Sequence, residues 1–350
     1  MNEPHRNVHI QVETETIFRL IFIALAVIFV YLIRDVIVVL LFSVVIASAV
    51  SPIVSWLQER RVPRSLGAFL TYLALFLILT FILYVIINPL AAELSNLSET
   101  FPLYFDRLLL QFEQVQSTSP QYEDLLNNIQ LYLNRISTTL QSVATNVFAA
   151  LARIFGGIAT AVIVIVISFY LAAEERGIPI FIRAVTPTNH QSYVLNLWAR
   201  AQTKIGRWLR GQIILSLAVG LAVFIGLAIF GIRYKLILAL LAAVLEIIPF
   251  IGPILAAIPA VILGFLKSPI VALWTAVVYL VVQQLENTIL VPKIMQRAVG
   301  LNPVVIIVSL LIGAKLLGFA GVILAVPIAA VVVEILKDLG NHHDQQPIRA

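Results

Sequence analysis

Eight long apolar runs divide the chain: Ile17 to Ile33, Val36 to Val50, Leu66 to Leu90, Val147 to Ala173, Ile213 to Phe230, Leu236 to Leu266, Ile270 to Val291 and Pro303 to Leu336. A helix needs about 20 apolar residues to cross about 30 Å of hydrocarbon, and several runs reach that length. With 61% hydrophobic and 12% charged residues, and a mean hydropathy of +1.00, the chain carries more apolar surface than a soluble core could hide. The sequence therefore predicts an all-α polytopic integral membrane protein. The second run is short and is expected to pair tightly with the first, hinged at Arg34-Asp35. No cysteine is present, so disulfide and thiolate chemistry are excluded. The N-terminal stretch MNEPHRNVHIQVETET lacks the basic region of a cleaved signal, so the first run is read as a retained helix.

Charge placement orients the chain. The stretch 58-QERRVPRS-65 holds Arg60, Arg61 and Arg64 against Glu59. Residues 174–211 hold Arg176, Arg183, Arg200, Lys204, Arg207 and Arg210 against Glu174 and Glu175. Residues 91–146 hold only Arg107 and Arg135 against Glu93, Glu99, Asp106, Glu113, Glu123 and Asp124. Lys and Arg gather on the cytoplasmic side, so the first two regions face the cytoplasm and the third faces outward, with both termini cytoplasmic. The expected layout is an N-terminal membrane region, 1–173, containing an outer helical insertion at 91–146. A cytoplasmic amphipathic linker follows at 174–211, then a C-terminal transport region at 212–337 and a disordered tail at 338–350. In the linker, Trp198 and Trp208 are expected to anchor an interfacial helix whose bases meet lipid phosphate rather than nucleic acid.

The outer insertion has its own periodicity. Leu126, Ile129, Leu133, Ile136, Leu140, Val143 and Val147 follow a 3-4 spacing, and Leu94, Leu97, Phe101, Tyr104, Leu108 and Val115 nearly repeat it. Such stripes mark amphipathic helices that bury a seam, within one subunit or between subunits.

The C-terminal half breaks its own apolar runs. The stretch 245-LEIIPFIGPILAAIP-259 places Glu246, Pro249, Gly252, Pro253 and Pro259 in the sixth run. Residues 231–260 align with 300–329 at a constant shift, 300 − 231 = 69, with nine identities, among them Gly231/Gly300, Phe250/Phe319 and Gly252/Gly321. The breaks PFIG and GFAG coincide, placing Gly318 and Gly321 opposite Pro249 and Gly252, and Lys315 opposite Glu246. The sixth and eighth runs are each too long for one comfortable span, so they are read as broken or re-entrant helical hairpins in inverted repeats. Irregular backbone at that depth survives only inside protein or along a watery cavity.

A charge at a helix centre costs on the order of 3 kcal/mol. Glu246 and Lys315 therefore either form an ion pair that only locks the hairpins or line a path for a solute or coupling ion. On the seventh run Gln283, Glu286 and Asn287, spaced i, i+3, i+4, share a helix face, with Gln284 beside them. They either continue that polar lining or lie near the cytoplasmic interface, where polar groups cost little.

The five histidines lack zinc spacing, and no GxGxxG, Walker A, HExxH or GxSxG motif occurs. Neither an enzyme nor a primary pump has machinery here, and no metal or cofactor is implied.

The motifs SPIVSWLQERRVPRSLG (51–67), WLRGQ (208–212), EIIPFIGPILAAIPA (246–260), QQLENTILVPKIM (283–295) and GLNPVVIIVSLLIGAKLLGFAGVILAVPIAA (300–330) resemble the autoinducer-2 exporter (AI-2E) family, also described as PerM-like permeases. The resemblance implies a bacterial inner-membrane protein with eight segments, a large loop after the third and homo-oligomers. It implies export of small solutes, with some members acting as sodium- or lithium-proton antiporters. The family's characteristic positions fall on Gln212, Glu246, Pro249, Gly252, Pro253, Gln283, Glu286, Asn287, Pro292, Gly300, Pro303 and Gly321. Three readings follow: a secondary exporter of a small polar solute, a Na⁺(Li⁺)/H⁺ antiporter, and a non-transporting membrane scaffold.

The orientation is directly testable, because the chain has no cysteine of its own. Thr118→Cys should react with a membrane-impermeant maleimide from outside only. Labelling from the cytoplasmic side alone would reverse the assignment.

Overall fold

Hydrocarbon offers backbone N–H and C=O groups no partner but each other, and every regular element among the described residues is helical. A computed structural model describes residues 14–116, 157–174, 176–295 and 300–344, with the isolated residues 131, 135 and 138. Five helical stretches there are long and apolar enough to cross a membrane: Arg34–Glu59, Arg64–Leu97, Thr188–Ile229, Pro269–Ile294 and Pro303–Asp338. Four further apolar helices are shorter.

Helix α1 (Thr14–Leu32) runs into α2 (Arg34–Glu59) through Ile33 alone. The tight pair expected of the first two runs does not form. Ile33 stays near helical geometry (φ −93°, ψ 8°), and the bonds Ile33 N–H to Phe29 C=O and Ile37 N–H to Ile33 C=O carry the ladder through. Nothing in Leu32-Ile33-Arg34-Asp35 breaks a helix, so the chain bends without reversing. The cytoplasmic N-terminus inferred from two crossings loses that support. The second run, in turn, is not short: α2 continues through Pro52 to Glu59 over 26 residues.

Helix α3 (Arg64–Gln116) has 53 residues, roughly 80 Å, and unites the third span with the first outer stripe in one rod. The second stripe, 126–147, lies almost wholly outside the described residues. Helix α4 (Ile158–Ala173) packs between α2 and α3. Hydroxyls there satisfy themselves locally: Tyr72 donates to Ser168 Oγ at 2.8 Å, Ser168 to the Ile165 carbonyl, and Ser43 to the Val39 carbonyl. Arg64 Nε donates to the Ala172 carbonyl at 3.0 Å, which brings the 58–65 loop to the start of the 174–211 region. The two basic regions thus share one end of the molecule.

The short α5 (Gly177–Val185) leads to α6 (Gln191–Ile229), a 39-residue helix carrying both the basic linker and the fifth run. The boundary expected at 211–212 falls in mid-helix. Trp208 is buried against Val45, Ile205, Leu324 and Val326, so it is a core residue and not the interfacial anchor expected of it. Where α6 crosses α2, Pro52 lacks the N–H that would reach the Ser48 carbonyl, and Gly206 meets that freed oxygen. A Cβ on Gly206 would lie 2.2 Å from Ser48 O. Beside it, Arg210 donates to the Ala49 carbonyl at 2.9 Å.

The rest of the chain is α7 (Lys235–Leu245), α8 (Ile251–Lys267), α9 (Pro269–Leu285) with a π-helical turn at Glu286–Leu290, α10 (Val291–Ile294) and α11 (Pro303–Asp344). Two reversals shape it. Between α7 and α8 the helix unwinds from Glu246 to Phe250, and Phe250 takes a left-handed φ of 65°. A Cβ on Gly252 would lie 2.0 Å from the Leu245 carbonyl, so the legs touch through backbone. Within α11, Gly318 leaves helical geometry (φ 59°, ψ −137°). A Cβ on Gly321 would lie 2.0 Å from Gly313 O. In an unbroken helix those residues stand about 12 Å apart along the axis, so the chain folds back at Gly318.

These approaches predict unequal tolerance to one methyl group. Gly206→Ala must displace backbone at Ser48 and should cost about 1–3 kcal/mol, read as a clear drop in melting temperature. At Gly67 the added Cβ meets only ordinary contacts from 3.4 Å, so Gly67→Ala should melt at or slightly above the parent. Equal behaviour of the two variants would refute the close α2–α6 crossing.

Candidate functional site

Helix α6 is a ruler for the two reversals. Near its basic end Arg200 pairs with Asp338 and Glu334, and Lys204 pairs with Glu334. One turn on, Ile205 and Trp208 pack with Leu324 and Val326. Gln212 reaches the first reversal, donating from Nε2 to the Glu246 carbonyl at 2.6 Å. Farther along, Gly220 meets Ala239 and Ala243. The first helix pair therefore descends from the far end of α6, and the second rises from the basic end. The tip of the first pair rests against the legs of the second: Ile248 packs with Leu310 and Ala325, eight residues before and seven after Gly318.

At that meeting point the polar groups converge. Glu246 is 1% exposed and Glu286 is also buried, and their carboxyl groups lie in hydrogen-bond contact. Glu246 Oε2 meets no donor. Two bare carboxylates have no donor to share, so the contact becomes an O–H···O bond only while one of them holds a proton. Gln283 Nε2 donates to Glu286 Oε2 at 3.2 Å. Glu286 opens the π-helical turn, a distortion often found at functional positions. The arrangement offers two carboxyls and a carboxamide, with a second carboxamide, Gln212, fixing the unwound strand. It can accept a proton, a cation or hydrogen-bond donors on a solute.

The expected residues divide. Gln212, Glu246, Gln283 and Glu286 come together; Pro249 lies in the unwound segment, and Pro253 follows in the first turn of α8. Gly252 and Gly321 are the close-approach positions, and Gly318 is the bend. Asn287 does not share the face of Gln283 and Glu286. It is exposed, because the π-helical turn that opens at Glu286 breaks the α-helical register that would have kept it on that face. Gln284 is exposed as well.

The Glu246–Lys315 pairing is overturned. Lys315 is exposed and forms no ion pair among the described residues, whereas Glu246 faces Glu286. The two hairpins are offset by one residue where they close: Gly252 meets Leu245, seven positions back, and Gly321 meets Gly313, eight back. One residue turns a helical side chain by about 100°, so the aligned positions point in different directions.

Two groups of charges escaped the sequence reading. Glu93 on α3 accepts from the Ile237 and Leu236 amides at the start of α7, at 3.0 and 3.4 Å. Arg200 and Lys204 meet Glu334 and Asp338, and here a signal existed. Both sets are spaced i, i+4, the spacing that lines up charges on facing helices.

The family model for AI-2E family transporters matches residues 20–341. YueF of Bacillus subtilis (strain 168), named as a transport protein, is 31% identical over 284 residues, covering 79% of this chain and 77% of its own. YhhT of Escherichia coli (strain K12), also named as a transport protein, is 27% identical over 298 residues, 85% of this chain and 83% of its own. The permease PerM of the same strain is 28% identical over 192 residues, 53% of this chain and 54% of its own. The matched span takes in α2 to α10, both reversals and the polar groups gathered around the first. The chain belongs to the AI-2E transporter family.

Proposed function

We propose that the protein is a secondary transporter that carries a small polar solute outward across the bacterial inner membrane, past the Glu246–Glu286 pair. The observation that carries this reading is the convergence of two buried carboxyls, two carboxamides and unwound backbone where two oppositely directed helix pairs meet. Secondary transporters build midplane sites in this way, from discontinuous helices in inverted repeats. The two pairs are read as re-entrant hairpins, the first opening outside and the second opening to the cytoplasm. Leg length supports that reading: α7 has 11 residues, roughly 17 Å, too short to cross about 30 Å of hydrocarbon. An autoinducer-2-like signal or related metabolite fits the family's name, and hydroxyl-rich solutes suit carboxyl and carboxamide partners.

A second reading, exchange of Na⁺ or Li⁺ for protons, draws on one observation. Glu246 Oε2 is buried without a donor while its carboxyl abuts Glu286, an arrangement that a proton or a cation would satisfy.

Reconstitution in proteoliposomes tests both readings. Glu246→Gln and Glu286→Gln should each remove most transport while leaving the size-exclusion profile unchanged. Lys315→Met should transport like the parent, because Lys315 is exposed and forms no ion pair with either carboxyl. Efflux of a sugar-like signal unaffected by both glutamine variants would refute the solute path. A pH-gradient response to added Na⁺ that the glutamine variants lose would favour the exchange reading.

A further inference from the structure

Each helix pair is fastened at its open end by charges on a neighbouring long helix, and the two fastenings lie at opposite ends of the molecule. At the far end, both carboxylate oxygens of Glu93 accept from the first turn of α7. An anion is favoured there because unpaired amides and the helix dipole present positive charge. At the basic end, Arg200 and Lys204 of α6 hold Glu334 and Asp338 on the returning leg of α11. Glu334 is nearly buried, so this contact is better shielded than an ordinary surface pair. Neither fastening touches the Glu246–Glu286 pair, which lies roughly 18 Å along α6 from Arg200.

We propose that these two clasps are the gates of the pathway: release of Glu93 frees the first pair and opens the carboxyl site outward, and release of Arg200 and Lys204 frees the second and opens it to the cytoplasm. The proposal rests on the transporter reading. Its physical basis is that each leg pair touches itself through backbone beside its turn, at Gly252 or at Gly313 and Gly321. Each pair therefore moves as a stiff unit about its tip and not by bending. The fastenings are exchangeable contacts: one is a carboxylate on two amides, the other a cluster of ion pairs. Arg200 and Lys204 keep one side toward solvent, so water can take over their charges when the ion pairs open.

Accessibility measures gating without any transported solute, so a failed transport assay leaves this test standing. Gln283→Cys provides a thiol beside Glu286 in the cysteine-free chain, read with a membrane-impermeant maleimide in intact cells and in inverted vesicles. Adding Glu93→Gln should raise labelling from outside roughly fivefold and leave cytoplasmic labelling unchanged. Adding Arg200→Gln with Lys204→Gln should do the reverse. The charge exchange Lys204→Glu with Glu334→Lys reverses one ion pair of the inner clasp, leaves Arg200–Asp338 in place and should keep labelling near the parent level. A rise of equal size from both sides, or none from either side in variants with the parent's size-exclusion profile, would overturn the proposal. If the double glutamine variant fails to fold, Arg200→Lys alone decides, since it keeps the charge but loses the two-pronged contact with Asp338. Unchanged cytoplasmic labelling in that variant would count against the inner gate.

Discussion

Carboxyl groups and unwound backbone can persist at membrane depth only where protein encloses them, and that requirement organises this molecule. Glu246 begins the segment in which α7 stops being a helix, so the costliest charge and the costliest backbone coincide. Both are answered from neighbouring elements. Gln212 of α6 takes the Glu246 carbonyl, Glu286 at the end of α9 meets its carboxyl, and the legs of the second pair cover Ile248. A fold without a long α6, or without the second helix pair, would leave this segment open to lipid.

Enclosure in turn depends on close packing without the hydrophobic effect, because lipid tails are as apolar as leucine. Membrane helices hold together through short contacts and small residues. Gly206 against Ser48, Gly252 against Leu245 and Gly313 against Gly321 are backbone-to-backbone approaches that no side chain permits. The first of them also uses a carbonyl freed by Pro52, which turns an apparent defect of α2 into the contact surface for α6. The fold's irregular positions are therefore its joints.

The sequence was most legible where a residue type has one physical meaning. Pro249 and Gly318 announced breaks, and breaks occur there, while Gly252 just past the first break marks the close approach of the legs. The convergence of Gln212, Glu246, Gln283 and Glu286 was also within reach, because buried polar groups in a lipid-soluble chain need one another. What failed was anything set by helix rotation or by the absence of a turn. Trp208 faces the core and not the interface because α6 continues through the linker without a pause. The pairing of α1 with α2 does not form because Arg34-Asp35 is charged without being a hinge: neither residue interrupts a helical ladder. Glu93 was invisible because its partner is backbone, and no pattern of side chains points to an amide.

Two stretches that align at a constant shift take different roles in the fold. Gly231 and Gly300, identical in the alignment, both adopt left-handed φ values, 60° and 57°, so the entries into the two units correspond. The left-handed residues at the reversals are Phe250 and Gly318, separated by 318 − 250 = 68, one fewer than the alignment shift of 69. The units therefore begin in register and close one residue apart. Because a helix turns about 100° per residue, that single step carries position 315 out of the direction that position 246 faces. One unit presents its charge to the enclosed site, and the other presents Ile306, Leu310 and Val322 as the wall against which the first unit's tip is pressed. Had both units closed in the same register, a second charge would have had to be enclosed beside the two carboxyls; instead Lys315 is exposed. The one-residue offset is what allows two similar sequences to build a single polar site with an apolar lid.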